Sequence, residues 1–70
     1  MSKYDLEEIE KVGEHYLTTS VSSFMARHGL LKEWEYWSYG ITGGMTKEGV
    51  LFFYSWDVED FLSKKFRTFD

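Results

Sequence analysis

The chain has 70 residues, no cysteine, no proline and a formal net charge of −4. A chain of this length forms a single domain, which we place over residues 1–70, and it buries only about 60% of the surface that the unfolded chain exposes. Aromatic residues make up 20% of the sequence and supply the large apolar surfaces that so small a core needs. The acidic charge disfavours proteins whose affinity depends on phosphate contacts.

The composition also indicates where the protein works. A chain without cysteine forms no disulfide, and small secreted domains commonly depend on disulfides. The longest apolar run, residues 50–54, is far shorter than the roughly 20 residues of a membrane span, and the acidic N-terminus lacks the basic region of a signal peptide. We therefore expect a cytoplasmic protein without a membrane segment.

Two short helices are predicted in the N-terminal half. Asp5 is a suitable N-cap for a helix over about residues 5–17, in which Gly13 would cost up to about 1 kcal/mol relative to alanine. The polar residues 18–20 then offer a fresh cap for a second helix over about residues 20–28, which ends before Gly29. The connection is so short that the two helices must turn sharply against each other.

An aromatic β-hairpin is predicted next. Aromatic residues that alternate with Glu33 and Glu35 predict a strand over about residues 32–41. The glycine-rich segment 42–49 predicts a turn, and a second strand follows over about residues 50–56.

A third helix is predicted over about residues 58–67, with Ser55 or Asp57 as its cap. Its apolar positions follow the 3–4 spacing of a helix: Val58, Phe61, Leu62, Phe66 and Phe69. The predicted fold is therefore a small α+β domain in the order ααββα.

The aromatic residues of the predicted hairpin fall on both of its faces. In the second strand, Phe52, Tyr54 and Trp56 oppose Leu51 and Phe53. Either the helices cover both faces, or part of this aromatic surface is exposed and contacts another protein or a second copy of the chain. About half of the candidate contact residues would share the core, and the candidates are Trp34, Tyr36, Trp37, Tyr39, Tyr54 and Trp56.

No motif for catalysis, for a metal or for a cofactor is present. His15 and His28 are the only imidazoles, and no cysteine accompanies them. The carboxylates fall where first-turn or solvent-facing helix charges are expected, as for Glu59 and Asp60. We therefore expect a non-enzymatic interaction module, an inhibitor, adaptor or regulator of the kind typical of phage and bacterial accessory proteins.

An alternative follows from the order of the elements. Two angled helices followed by a hairpin resemble a winged helix-turn-helix, which implies a nucleic-acid-binding regulator whose second helix enters the major groove. The residues that would contact DNA are Ser22, Ser23, Arg27, Lys32 and Lys47. The net charge of −4 and the single arginine of that helix oppose this interpretation.

Overall fold

The computed structural model describes residues 4–68, with side chains described over residues 4–64. A 3-10 helix, Leu6–Glu8, precedes strands β1 (Lys11–Val12) and β2 (His15–Leu17), helices α1 (Thr18–Arg27) and α2 (Leu31–Ser38), strands β3 (Gly44–Met45) and β4 (Leu51–Phe53), and helix α3 (Ser55–Thr68). The α+β class is confirmed by three α-helices and one antiparallel sheet within the described residues. The predicted order ααββα is wrong.

The four strands form a sheet in the order β1-β2-β4-β3. Each neighbouring pair is antiparallel, with Tyr16 opposite Phe53 between β2 and β4, and Gly44 opposite Phe52 between β4 and β3. The short outer strands β1 and β3 leave the longer pair, β2 and β4, at the centre of the sheet. This central pairing brings His15 of β2 and Phe52 of β4 to the same part of the sheet.

The N-terminal segment is a hairpin and not the predicted helix over residues 5–17. Asp5 is an N-cap, since its Oδ1 accepts from the backbone N–H of Glu7 at 3.1 Å. The helix that it caps is the 3-10 helix, which ends at Glu8. Gly13 has a φ of +66° and lies in the two-residue turn between β1 and β2. A positive φ at the first position of such a turn suits the right-handed twist of the flanking strands, so this glycine closes a hairpin.

Helix α1 lies close to its predicted bounds of 20–28, and its end is set by Gly29. Gly29 has a φ of +71°; its N–H donates to the carbonyl of Ala26, while the N–H of Leu30 donates to that of Met25 at 2.7 Å. These two bonds form a Schellman motif, which only a residue at ease with positive φ completes without strain.

Residues 31–38 form helix α2, whereas the sequence pattern predicted a strand over residues 32–41. The buried or half-buried apolar side chains of this segment, Leu30, Leu31, Trp34 and Trp37, recur at a spacing of three to four. That spacing is helical, and burial of Trp34 outweighs the β-propensity of the aromatic residues.

Strand β4 lies inside the predicted second strand, residues 50–56, but its partners differ from the prediction. It pairs with β2 and with β3, which takes its two residues from the predicted turn. The loop between β3 and β4 is closed by Thr46, whose N–H donates to the carbonyl of Val50 at 2.9 Å and whose Oγ1 accepts from the N–H of Val50.

Helix α3 begins at Ser55, a few residues before the predicted start. Val58, Phe61 and Leu62 are buried, as the sequence pattern predicted, while the side chains of Phe66 and Phe69 lie outside the described residues. The core joins α3 to the other elements through the Trp34 ring, which lies edge to face against Phe53 and Phe61 at centroid distances of 5.1 and 5.2 Å. Among the described residues, no helix is long and apolar enough to cross a membrane.

Candidate functional site: the open aromatic face of the sheet

The two faces of the central strands have different environments. Tyr16 of β2 is buried, and its cross-strand partner Phe53 packs against the core. Because successive side chains alternate along a strand, His15 and Leu17 on β2 and Phe52 on β4 lie on the opposite face. Those three side chains are half-buried, and none belongs to the described apolar residues that pack against the core.

Four rings form a cluster on this open face. We call His15, Phe52, Tyr54 and Trp56 the aromatic cluster. The Tyr54 and Trp56 rings stack in parallel, with centroids 4.9 Å apart and an angle of 6° between the planes. The His15 ring stacks on Phe52 at 5.2 Å and meets Tyr54 and Trp56 edge to face at 5.0 and 5.1 Å. Each ring contacts at least two of the others, and these contacts hold the rings in place.

A hydrogen bond from the backbone fixes the centre of the cluster. The N–H of Ser55 donates to Nδ1 of His15 at 3.2 Å, so Nδ1 carries its lone pair and the neutral ring holds its proton on Nε2. Ser55 is the first residue of α3, and the N–H groups of a first helical turn have no acceptor within the helix. The imidazole therefore caps α3 from strand β2 and fastens the strand to the helix.

The Phe52 ring is positioned from the other side by a glycine. A Cβ placed on Gly44 would lie 2.5 Å from Cζ of Phe52, so the ring lies directly over the glycine of the neighbouring strand. Gly43 also admits no side chain, because a Cβ there would collide with the backbone oxygen of Phe52. The two glycines thus let β3 and its preceding loop approach β4 closely.

A shallow cleft of about 370 Å³ lies at the β3–β4 hairpin. It is lined by Thr18, Thr42, Gly43, Gly44, Met45 and Leu51–Phe53. Met45 and Leu51 are exposed and pair across β3 and β4. Because side chains alternate along a strand, they lie on the face of Phe53 and do not extend the aromatic cluster.

The structure separates the six predicted contact residues. Trp34 is 2% exposed and belongs to the core, which the sequence analysis expected of about half of the six, and Trp37 is half-buried against Phe61 at 5.4 Å. Tyr54 is half-buried, and Trp56 is 59% exposed. Both belong to the aromatic cluster.

Tyr36 and Tyr39 form a second exposed surface at the end of α2. They are 88% and 94% exposed, and an open cleft of about 660 Å³ beside them is lined by Lys32, Glu35, Tyr36, Trp37, Tyr39 and Gly40. Neither tyrosine ring packs on another ring in the described part of the chain, so this surface lacks the internal order of the aromatic cluster.

The charges beside the aromatic cluster are mostly negative. On α3, Glu59 and Asp60 follow Trp56 at the i+3 and i+4 positions that share one helix face, and all three residues are exposed. Burial and, second, the charge of Glu59 raise the pKa of Tyr16 on the buried face of β2. Glu14 is exposed and directly precedes His15.

Two cations accompany these carboxylates. Nζ of Lys64 pairs with Asp60 at 3.2 Å, and Nζ of Lys11 lies 5.7 Å from the centroid of the Tyr16 ring.

The residues nominated for DNA contact lie on three different parts of the fold. Ser22, Ser23 and Arg27 lie on α1, Lys32 lies on α2, and Lys47 lies in the β3–β4 loop. The Arg27 guanidinium contacts Glu8 at 3.4 Å, and Nε2 of His28 lies 3.5 Å from the same carboxylate. Helices α1 and α2 are followed by the β3–β4 hairpin, so the helix pair before the hairpin lies one helix later in the chain than the sequence pattern predicted.

Within the described residues, no three side chains of histidine, aspartate or glutamate converge in a way that could hold a metal ion. Every buried side-chain nitrogen or oxygen atom of the described residues has a hydrogen-bond partner. The polar groups of the described core are therefore accounted for by the fold.

His15 and Phe52 are the cluster members that the sequence did not nominate. Phe52 could have been found, because it shares a predicted strand face with Tyr54 and Trp56. His15 could not, because the predicted helix over residues 5–17 placed it far from the hairpin.

The comparisons with known proteins gave no match to a protein-family model, a curated protein or a solved structure. The aromatic cluster and the charges around it therefore carry the functional interpretation.

Proposed function

We propose that this chain is a non-enzymatic interaction module, which acts as an inhibitor, adaptor or regulator by docking the aromatic cluster onto another protein. The observation that carries the proposal is an ordered set of aromatic rings on a sheet face that no described core residue covers. Tyrosine and tryptophan are enriched at protein interfaces, since each combines a large apolar surface with a hydrogen-bonding group.

The order within the cluster supports binding over mere exposure. Association costs free energy for each side chain that must be immobilised, about 0.5–1.5 kcal/mol for a flexible one. The Tyr54 and Trp56 rings are already stacked, and the Ser55 N–H holds His15 between them and Phe52. Much of that cost is therefore met during folding, which favours the aromatic cluster over the unstacked Tyr36 and Tyr39.

The test is capture of partners from a nuclease-treated lysate of the source cells by the tagged chain. We expect one protein in stoichiometric amount with the wild type, and loss of that protein with Trp56→Ala. Tyr36→Ala is the matched control, because it also truncates an exposed aromatic residue but lies outside the cluster. Capture that is equal with both variants, or lost with both, would contradict the proposal.

A second measurement tests whether the partner is a second copy of the chain. If the aromatic cluster pairs with a second copy of the chain, light scattering will give twice the mass of 8.3 kDa for the wild type and the single mass for Trp56→Ala. That result would replace the foreign partner with a homodimer.

The second candidate is a nucleic-acid-binding regulator, and the observation that favours it is the helix-turn-helix order of α1 and α2 followed by the β3–β4 hairpin. The charges oppose it, since α2 carries one lysine against Glu33 and Glu35. This candidate predicts that the chain shifts DNA in a gel and that the shift decreases as the salt concentration rises. Arg27→Ala and Lys47→Ala should each weaken the binding of DNA. Absence of any shift at low salt would exclude it.

A further inference from the structure

We infer that the aromatic cluster binds an arginine side chain of a basic segment in its partner, and this inference rests on the proposed function above. The partner is identified by its chemistry: a guanidinium group on an extended segment with apolar neighbours. Two features of the open face lead to this choice, namely the exposed π surface of Trp56 and the carboxylates that surround it.

The first feature is the Trp56 ring. Tyr54 stacks against this ring, His15 meets it edge to face, and 59% of the residue stays exposed. Tryptophan has the strongest cation–π attraction of the aromatic side chains, and a planar guanidinium stacks on it more favourably than an ammonium group does. The exposed part of the ring is thus suited to an arginine.

The second feature is the sign of the charge around the ring. Glu59 and Asp60 share the exposed face of α3 with Trp56, Asp57 is adjacent to it in sequence, and Glu14 precedes His15. Lys64 pairs with Asp60, so Asp57, Glu59 and Glu14 keep the charge around the ring negative. An arginine above Trp56 would therefore meet carboxylates on the same side, and charge complementarity of this kind favours basic partners and raises the association rate.

The same charges disfavour the other occupants. A nucleic acid would bring phosphates toward Glu59 and Asp60, which repel them. A second copy of this chain has the same net charge of −4, so the two copies repel each other. Leu17 and Phe52, which pair across β2 and β4 on the open face, give the apolar neighbours of the arginine a place to lie.

The experiment uses the purified chain and four heptapeptides in which valine alternates with arginine, lysine, citrulline or glutamate. Binding is followed by calorimetry and by the NMR signals of the indole N–H groups. We expect the arginine peptide to bind at least about threefold more tightly than the lysine peptide. We expect the citrulline and glutamate peptides to bind at least about tenfold more weakly than the arginine peptide.

Three variants assign that binding to the aromatic cluster. We expect Trp56→Ala to weaken the arginine peptide by about tenfold or more, the double variant Glu59→Gln, Asp60→Asn to weaken it by about threefold to tenfold, and Tyr36→Ala to leave it unchanged. The double variant keeps every ring, so it tests the charges even if Trp56→Ala disturbs the cluster.

The inference is overturned if the arginine peptide does not bind, if lysine and arginine peptides bind equally, or if Trp56→Ala binds as tightly as the wild type. Single-stranded DNA that binds through Trp56 would also overturn it. Suppose that a protein is captured by the wild type and lost with Trp56→Ala, but the arginine peptide does not bind. That result would support docking at the aromatic cluster and contradict its preference for arginine.

Discussion

His15 is the residue on which the open face depends most. Its Nδ1 accepts the N–H of Ser55, and its ring contacts the other three rings of the cluster. The imidazole therefore has two roles, as the cap of α3 and as the centre of the aromatic cluster.

Replacement of this imidazole by another ring separates the two roles. We expect His15→Phe, which keeps an aromatic ring but removes the acceptor, to lower the free energy of unfolding by about 1–2 kcal/mol, because the Ser55 N–H loses its partner. Urea unfolding measures this loss, with Glu14→Gln as the control on the adjacent exposed position. An unchanged free energy for His15→Phe would show that the hydrogen bond does not contribute to stability.

Tyr16 gives the protein a defined sensitivity to alkaline pH. Burial, and then the charge of Glu59, raise the pKa of this phenol above its ordinary value near 10. The folded state therefore holds the Tyr16 proton more tightly than the unfolded chain does. Its contribution to stability is complete below about pH 10 and is lost as the pH rises above that value.

Tyr16→Phe removes that sensitivity. We expect the variant to lose less unfolding free energy than the wild type between about pH 9 and pH 11. The measurement is urea unfolding across this range, and Tyr36→Phe, at an exposed position, should follow the wild-type curve. A Tyr16→Phe curve parallel to the wild type would contradict the assignment.

Among the elements, α2 shows best where sequence reasoning failed. Its aromatic residues have high β-propensity, and their alternation with Glu33 and Glu35 imitates a half-buried strand. The helical spacing of Leu30, Leu31, Trp34 and Trp37 was present in the same segment, but nothing local decides between the two periods. The tertiary contacts of Trp34 with Phe53 and Phe61 decide it.

Two alanine variants distinguish the helix from the strand. In a strand, Trp34 and Tyr36 would share one face, whereas in α2 the first is buried and the second is exposed. We expect Trp34→Ala to cost about 3–5 kcal/mol and Tyr36→Ala less than about 0.5 kcal/mol. Thermal or urea unfolding measures both, and similar losses for the two variants would contradict the helix.

The end of α1 supplies a second test at this scale. Gly29→Ala should cost about 1 kcal/mol, because alanine is strained at a φ of +71° although no atom obstructs a Cβ there. Gly40→Ala is the matched control, since Gly40 has neither a positive φ nor an obstructing neighbour. Equal unfolding free energies for the two variants would show that Gly29 does not set the end of the helix.

The elements that the sequence predicted well have strong local signals. The spacing of Val58, Phe61 and Leu62 is explained by the buried face of a helix. The glycine after α1 is explained by a helix end with a positive φ. The hairpin of β1 and β2 could not be predicted, because the apolar residues around it also fit a helix and only Gly13 marks its turn.

At the scale of the whole molecule, the sheet has one face on the core and one open face. The alternation along residues 51–56 predicted that Phe53 lies on the face opposite Phe52, Tyr54 and Trp56, but it left open which face is buried. In the structure Phe53 packs inside, while the other three lie together on the open face. The sequence could not predict that His15 belongs to the open face, because His15 lies there only through the pairing of β2 with β4.

The most direct test of docking at the aromatic cluster is photocrosslinking in the source cells with a benzophenone amino acid at position 63. Ser63 is exposed on α3, one helical turn beyond Glu59 and Asp60, so the probe lies beside the cluster without replacing a ring. Ser23, an exposed serine of α1, is the matched control position. We predict one crosslinked protein from position 63, none from position 23, and loss of the product when Trp56→Ala is added. A product that forms from position 23, or that persists without the Trp56 ring, would contradict docking at the aromatic cluster.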